Sequence, residues 1–116
     1  MQLPESYEKL IDEAWKEMLY AALVRQINKD FKFANIDDEF PGNITPEELF
    51  NQFHRLVRHL MEFEFDKYLN LLYIIDVSES KIREIPEADL GLLSQKVSFL
   101  MLQREWQKVW IRHHFG

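Results

Sequence analysis

The sequence predicts an all-α fold: a small three- to four-helix bundle with an irregular, aromatic-rich connection after the first helix. Three observations predict it. Apolar residues recur at spacings of three and four along three long segments. Helix-start residues stand at the head of those segments. The chain has 116 residues, 47% apolar and 14% aromatic, with nine Phe, four Tyr and three Trp. That is enough apolar material for one core in a single domain spanning 1–116, and it lies outside the composition of disordered chains.

The first helix is expected from about Pro4 to Ile27. Proline suits the first helical position because its missing N–H would have no partner there. Tyr7, Leu10, Ile11, Ala14, Trp15, Met18, Leu19, Ala22 and Leu23 form one broad apolar face. The stretch Asn28–Asn43 is the least regular, with a turn signal at Pro41-Gly42. Its Phe31, Phe33, Ile36 and Phe40 should tuck against the bundle, while Asp37, Asp38 and Glu39 stay solvated. Those acids lack the ligand spacing of a calcium loop.

The second helix has the clearest start. Thr45 caps it, Pro46 takes the first position and Glu48 completes a capping box. Leu49, Phe50, Phe53, Leu56, Val57, Leu60 and Met61 form its stripe. Between Met61 and Asp66 the pattern alternates, and the helical period resumes at Tyr68, Leu71, Ile74 and Ile75. The helix either continues to about Ile75 or breaks near Glu62 and restarts. A continuous helix would centre Glu64 on the buried stripe. Asp76 to Ile85 reads as a connection, with Ser78 opening a short turn.

The last helix is expected from Pro86 to about His113. Leu90, Leu93, Val97, Leu100, Met101 and Ile111 cluster on one side. Arg104 sits at the centre of that cluster and Lys108 beside it. Leu92, Phe99, Leu102, Trp106, Val109 and Trp110 lie on the other side. A helix apolar on two faces is either central or shared with another chain. The expectation is that Phe99, Leu102, Trp106, Val109 and Trp110 form a subunit contact, a homodimer anchored by the two tryptophans. The alternative is that this face lies under the Phe31–Phe40 segment.

Several functions are excluded by composition. The chain has no cysteine, so disulfides, thiolate metal sites and cysteine nucleophiles are impossible. Its three glycines, Gly42, Gly91 and Gly116, cannot build a phosphate loop, a dinucleotide fingerprint or a nucleophile elbow. His54 and His59 project about 140° apart on a helix, and neither the zincin motif nor a Glu-x-x-His motif occurs. No metal and no cofactor are expected. Ser78 and Ser80 flank Glu79 without a nearby histidine, which suits capping better than catalysis.

Net charge is −6, distributed as −6 over 1–48, −3 over 49–90 and +3 over 91–116. An acidic chain repels polyphosphate, so nucleic acid is disfavoured as a partner. The opening MQLPESYEKL has neither a basic region nor an apolar core, and no stretch approaches a membrane span. A cytoplasmic protein is expected.

Two charges stand on apolar stripes, Glu64 and Arg104, and they are expected to pair across the bundle. Asp76 and Glu79 are alternative partners for Arg104. Such a pair fixes helix register. Alternatively, Arg104 and Lys108 with a nearby carboxylate form an anion pocket. The stretches Leu71–Glu79 (LLYIIDVSE) and Gln103–Arg112 (QREWQKVWIR) resemble segments of short bacterial helical proteins. The resemblance covers under a fifth of the chain and implies no activity. The expected function is a non-enzymatic helical interaction protein that self-associates through the aromatic face of its last helix. The alternative is a small-molecule (anion) binder, or an enzyme without a recognised motif, with its pocket at Arg104 and Lys108.

Overall fold

The computed structural model describes residues 1–116, and the chain is all-helical. Six helices stand where three or four were expected: α1 (Tyr7–Lys16), α2 (Tyr20–Phe33), α3 (Pro46–Phe63), α4 (Phe65–Ile75), α5 (Glu79–Arg83) and α6 (Leu90–Phe115). The long α6 packs against α1, α2, α3 and α4, and the molecule measures 35 × 29 × 25 Å. No helix is long and apolar enough to cross a membrane.

The expected first helix is two helices. Ser6, not Pro4, starts α1, its side chain accepting from the Lys9 N–H at 3.1 Å. Pro4 lies outside, and its carbonyl accepts from Gln103 Nε2 at 2.8 Å. α1 ends in a Schellman turn. Met18 is left-handed at φ 60°, the Leu19 N–H reaches the Ala14 carbonyl at 2.8 Å, and the Met18 N–H reaches that of Trp15 at 3.1 Å. The turn changes which side chains face inward. Leu10, Ile11 and Ala14 stay buried, but Met18 is 89% exposed and Trp15 stands out beside it. After the turn Tyr20, Leu23, Val24, Ile27 and Phe31 face the core.

α2 runs on through Phe33, so the irregular connection begins only at Ala34. Phe31 is buried within the helix, Phe33 is exposed, and Ile36 and Phe40 tuck in from the connection. A second Schellman turn sits at Asn35, φ 59°, with the Ile36 N–H on the Phe31 carbonyl at 2.9 Å. Asn28 clamps the returning chain. Its Nδ2 donates to the Phe40 carbonyl at 2.9 Å and its Oδ1 accepts from the Phe40 N–H at 2.8 Å. The Tyr20 hydroxyl donates to the Ile44 carbonyl and that of Tyr7 to the Pro46 carbonyl, both at 2.6 Å. Burial pushes the Tyr20 hydroxyl up to about 12, so it remains a donor. Asp37, Asp38 and Glu39 are exposed.

α3 starts at Pro46, with Thr45 accepting from the Glu48 N–H at 3.2 Å. The Glu48 carboxylate turns to Gln52 instead of back to the cap. Leu49, Phe53, Val57 and Leu60 face the core. One residue then interrupts the helix, Glu64 at φ −141° and ψ 59°, and α4 resumes to bury Tyr68, Leu71 and Ile75. The interruption turns Glu64 out of the stripe that a continuous helix would have put it in.

α6 starts at Leu90, capped by Asp89, whose side chain accepts from the Leu92 N–H at 2.9 Å. Its buried residues are Ser94, Val97, Ser98, Met101, Leu102, Glu105, Trp106 and Val109. At 100° per residue they occupy one arc of about 180°. Ser94, Ser98 and Glu105 run down the middle of that arc. Val97 and Met101 edge it on one side, and Leu102, Trp106 and Val109 on the other. The two opposed apolar faces read from the sequence are thus the two edges of one buried face with a polar centre line. Leu102 and Trp106 are fully buried and Val109 nearly so, while Phe99 and Trp110 are half-buried against the same core. These side chains belong to the fold of one chain and do not form an open aromatic surface.

Trp106→Ala should therefore lower stability by about 3–5 kcal/mol in urea denaturation. Met18→Gly should act in the opposite direction. It relieves a left-handed, solvent-facing methionine and should raise stability by about 1 kcal/mol, read as a higher urea midpoint at unchanged slope.

Candidate functional site

The seam between α2 and α6 holds the principal polar cluster. Asp30 and Gln26, one turn apart on α2, face Glu105 and Lys108, three residues apart on α6. The Lys108 ammonium donates to Asp30 Oδ2 at 2.5 Å and lies 3.2 Å from Glu105 Oε1. Gln26 Nε2 donates to Asp30 Oδ1 at 3.1 Å. Asp30, Gln26 and Glu105 are all buried.

Two carboxyls and one ammonium cannot all be ionised there without an excess negative charge in a poorly solvated place. The proton stays on Glu105. Burial pushes the Glu105 carboxyl well above the ordinary range, and the bond to Asp30 and its charge push it further, against the opposing Lys108. For Asp30, burial also pushes upward. The bonds from Glu105, Lys108 and Gln26, with the charge of Lys108, outweigh it and hold Asp30 below the usual range. As a carboxylate, Glu105 would have only the Lys108 ammonium, 3.2 Å from Oε1, as a donor, and that ammonium is already committed to Asp30; as an acid, it donates to Asp30. The carboxyls and the ammonium of the cluster thus satisfy one another, while Gln26 Oε1 is left without a donor.

Arg104 sits one turn before Lys108 on the same side of α6 and reaches to the end of α4. It donates to Asp76 twice, Nε to the backbone carbonyl at 3.2 Å and Nη2 to Oδ2 at 3.1 Å, and Nη1 donates to Gln107 at 2.9 Å. Asp76 is the left-handed residue ending α4, at φ 72°. Arg104 therefore secures the corner where α4 turns into the connection. A small cavity of about 170 Å³ adjoins it, lined also by Ser78 and Lys81.

Of the residues singled out from the sequence, the structure brings Arg104 to Asp76 alone. Glu64 does not meet Arg104; it lies 3.2 Å from Lys67 and 3.6 Å from His59, half-exposed. Glu79 pairs with Arg83 in the open, and Lys108 meets Asp30 instead of any ligand space shared with Arg104. The expected Arg104–Lys108 pocket is therefore two separate neutralised sites. Asp30, Gln26 and Glu105 were not foreseen. The signal for Glu105 was present: it is the one acid after Gly91, three residues before Lys108 and between the two apolar arcs.

Two of the open features of the surface are a groove and a basic pocket. A groove of about 460 Å³ lies between α4, α5 and the start of α6, and nine of its eleven lining residues are apolar. A pocket of about 330 Å³ lies between α2 and the end of α6. No group of three or more His, Asp or Glu is arranged to hold a metal ion. The chain matches no protein-family model, no curated protein and no solved structure. The functional reading therefore rests on this geometry.

The seam predicts a pH profile. Glu105 keeps a proton in the folded state where the unfolded chain has lost it. Its stabilisation is complete below the ordinary glutamate range, about 4.3, and is lost as pH rises towards the raised folded value. Asp30 acts in the opposite sense: its stabilisation is present above the ordinary aspartate range and lost as pH falls through the lowered folded value. Glu105→Gln keeps the shape and the neutrality. Wild-type stability should fall with a slope of up to about 1.4 kcal/mol per pH unit above pH ~5, and the variant should be flat to pH ~8. Urea unfolding across that range checks it.

Proposed function

We propose that the protein is a non-enzymatic helical interaction protein whose partner is a second copy of itself. The surface differs from the one read in the sequence: it is the groove between α4, α5 and α6. One observation carries the reading. Apolar knobs and an apolar groove adjoin each other on a single face. Phe65 is 54% exposed and Leu69 47% exposed, on the stripe that continues Met61 and leads to Leu72. Beside that stripe Ile82 and Leu93 form the groove's other wall.

A two-fold contact needs one patch that complements itself. Here the α4 knobs of each copy would enter the groove of the other. The rim charges suit the same symmetry, because Glu79 and Arg83 stand together at the edge and each sign would face the other across the axis. The closed state of the ionisable clusters supports a non-catalytic reading. Asp30, Glu105 and Lys108 satisfy one another inside the fold, and Arg104 is engaged by Asp76.

Native mass spectrometry and sedimentation up to roughly 300 µM test the proposal, on the scale where weak dimers form. The wild type should dimerise. Leu69→Glu and Phe65→Glu should give monomers of unchanged helicity, because both side chains are half-exposed in the single chain. A wild type that stays monomeric throughout, or a Leu69→Glu variant as dimeric as the wild type, overturns it.

A further inference from the structure

More than half of this acidic chain's basic residues take part in ion pairs, but eight do not, and four of those eight converge. The pocket between α2 and α6 is lined by Arg25 and Lys29, one turn apart on α2, and by Arg112 and His113 in the last turn of α6. None of the four takes part in an ion pair, although ten other basic residues do. Asp30, behind the pocket, is held by Lys108 and Gln26, and Glu17 is held by His114. Local positive charge is left uncompensated in a protein of net charge −6.

The pocket floor carries a second, independent feature. Gln26 is 5% exposed and lines the pocket. Its Nε2 is committed to Asp30, and its Oε1 is buried with no hydrogen-bond donor. A buried acceptor without a donor is costly and is ordinarily satisfied. The walls therefore call for an anion, and the floor for a donor on the same ligand. The first turn of α2, at Leu19 and Ala22, also borders the pocket, and no side chain caps that helix end. Its free N–H groups add to the positive field.

We infer that this pocket is a binding site for the phosphoryl group of a small phosphomonoester. Two guanidinium forks and an ammonium match the tetrahedral oxygens of a phosphoryl group better than the single plane of a carboxylate. A phosphomonoester loses its second proton near pH ~6, so its singly protonated form carries a hydroxyl able to donate to Gln26 Oε1. A volume of about 330 Å³ is at the small end of ligand pockets, which suits a sugar-phosphate-sized molecule. The site is distinct from the α4–α5–α6 groove and does not depend on self-association.

Isothermal calorimetry on the full chain tests the site, with inorganic phosphate, ribose 5-phosphate, succinate and a short single-stranded oligonucleotide as probes. Ribose 5-phosphate and phosphate should bind, and succinate should not. Arg25→Gln and Arg112→Gln should each weaken binding about tenfold, the loss expected for one charge-assisted contact. Lys9→Gln, on the exposed part of α1, should leave it unchanged. Both arginines are exposed and unpaired, so circular dichroism of the variants should match the wild type. No heat with either phosphate probe overturns the inference. So does binding that survives Arg25→Gln and Arg112→Gln, or succinate binding as tight as phosphate. Preferential, steeply salt-dependent binding of the oligonucleotide would overturn it in favour of a nucleic-acid surface.

Discussion

The pairing of the Glu105 carboxyl, its affinity for a proton raised by burial, with the Asp30 carboxylate lets α2 and α6 lie side by side. Without that proton the seam would hold two negative charges against one ammonium, in a place with little water to stabilise the excess. With it, each polar group has a defined role: Glu105 donates, Asp30 accepts, and Lys108 and Gln26 complete the carboxylate. Such a network tolerates little sliding. A shift of one helical turn would leave Lys108 or Asp30 buried alone, which costs more than the intact cluster contributes. The seam therefore fixes the register of α6, and α6 is the helix against which α1, α2, α3 and α4 are arranged. On the same buried arc Ser94 and Ser98 keep the centre line narrow, while Trp106 fills the side towards α1, its indole N–H 3.4 Å from Glu13.

The corners of the bundle follow a second constraint. Three residues adopt left-handed backbone conformations, Met18, Asn35 and Asp76, and none is a glycine. Asparagine and aspartate accept that conformation at small cost; methionine does not. The Asp76 corner is braced by Arg104 from α6, and the connection that follows Asn35 is held by Asn28 and Tyr20. Met18 has no comparable side-chain brace and lies in solvent. The chain holds its turns by side-chain bonds to backbone groups in place of glycine flexibility.

This explains which parts of the structure were legible in the sequence. The helical class, the Thr45-Pro46 start and the core face of α3 follow from apolar spacing and capping, and those signals are local. The break at Met18 is a backbone event through which apolar spacing passes unchanged, whereas that at Glu64 shows in the sequence only as the alternation from Met61 to Asp66, which a continuous helix also accommodates. The face of α6 was misread for a related reason. Its centre is polar, so hydrophobicity marks the two edges and leaves the middle blank. Once that centre is recognised, the tryptophan face becomes core, and Glu64 and Arg104 cease to be partners. The groove and the basic pocket were legible only in part. Phe65, Leu69, Arg25 and Arg112 are ordinary residues in the sequence, and only the turns at Met18 and Glu64 bring their faces together with other helices.

The position of α6 in the chain has a consequence for biosynthesis. Every helix that α6 organises is translated before it. At about 5–20 residues per second, its 26 residues take a few seconds to emerge after α5 is complete. During that interval the stripes of α1 to α4 have no common partner, and Asp30 has no Lys108. The nascent chain is thus a set of amphipathic helices awaiting a template, and its cooperative closure waits on α6. The acidic first part of the chain, −6 over residues 1–48, keeps those waiting segments mutually repulsive until the basic helix arrives.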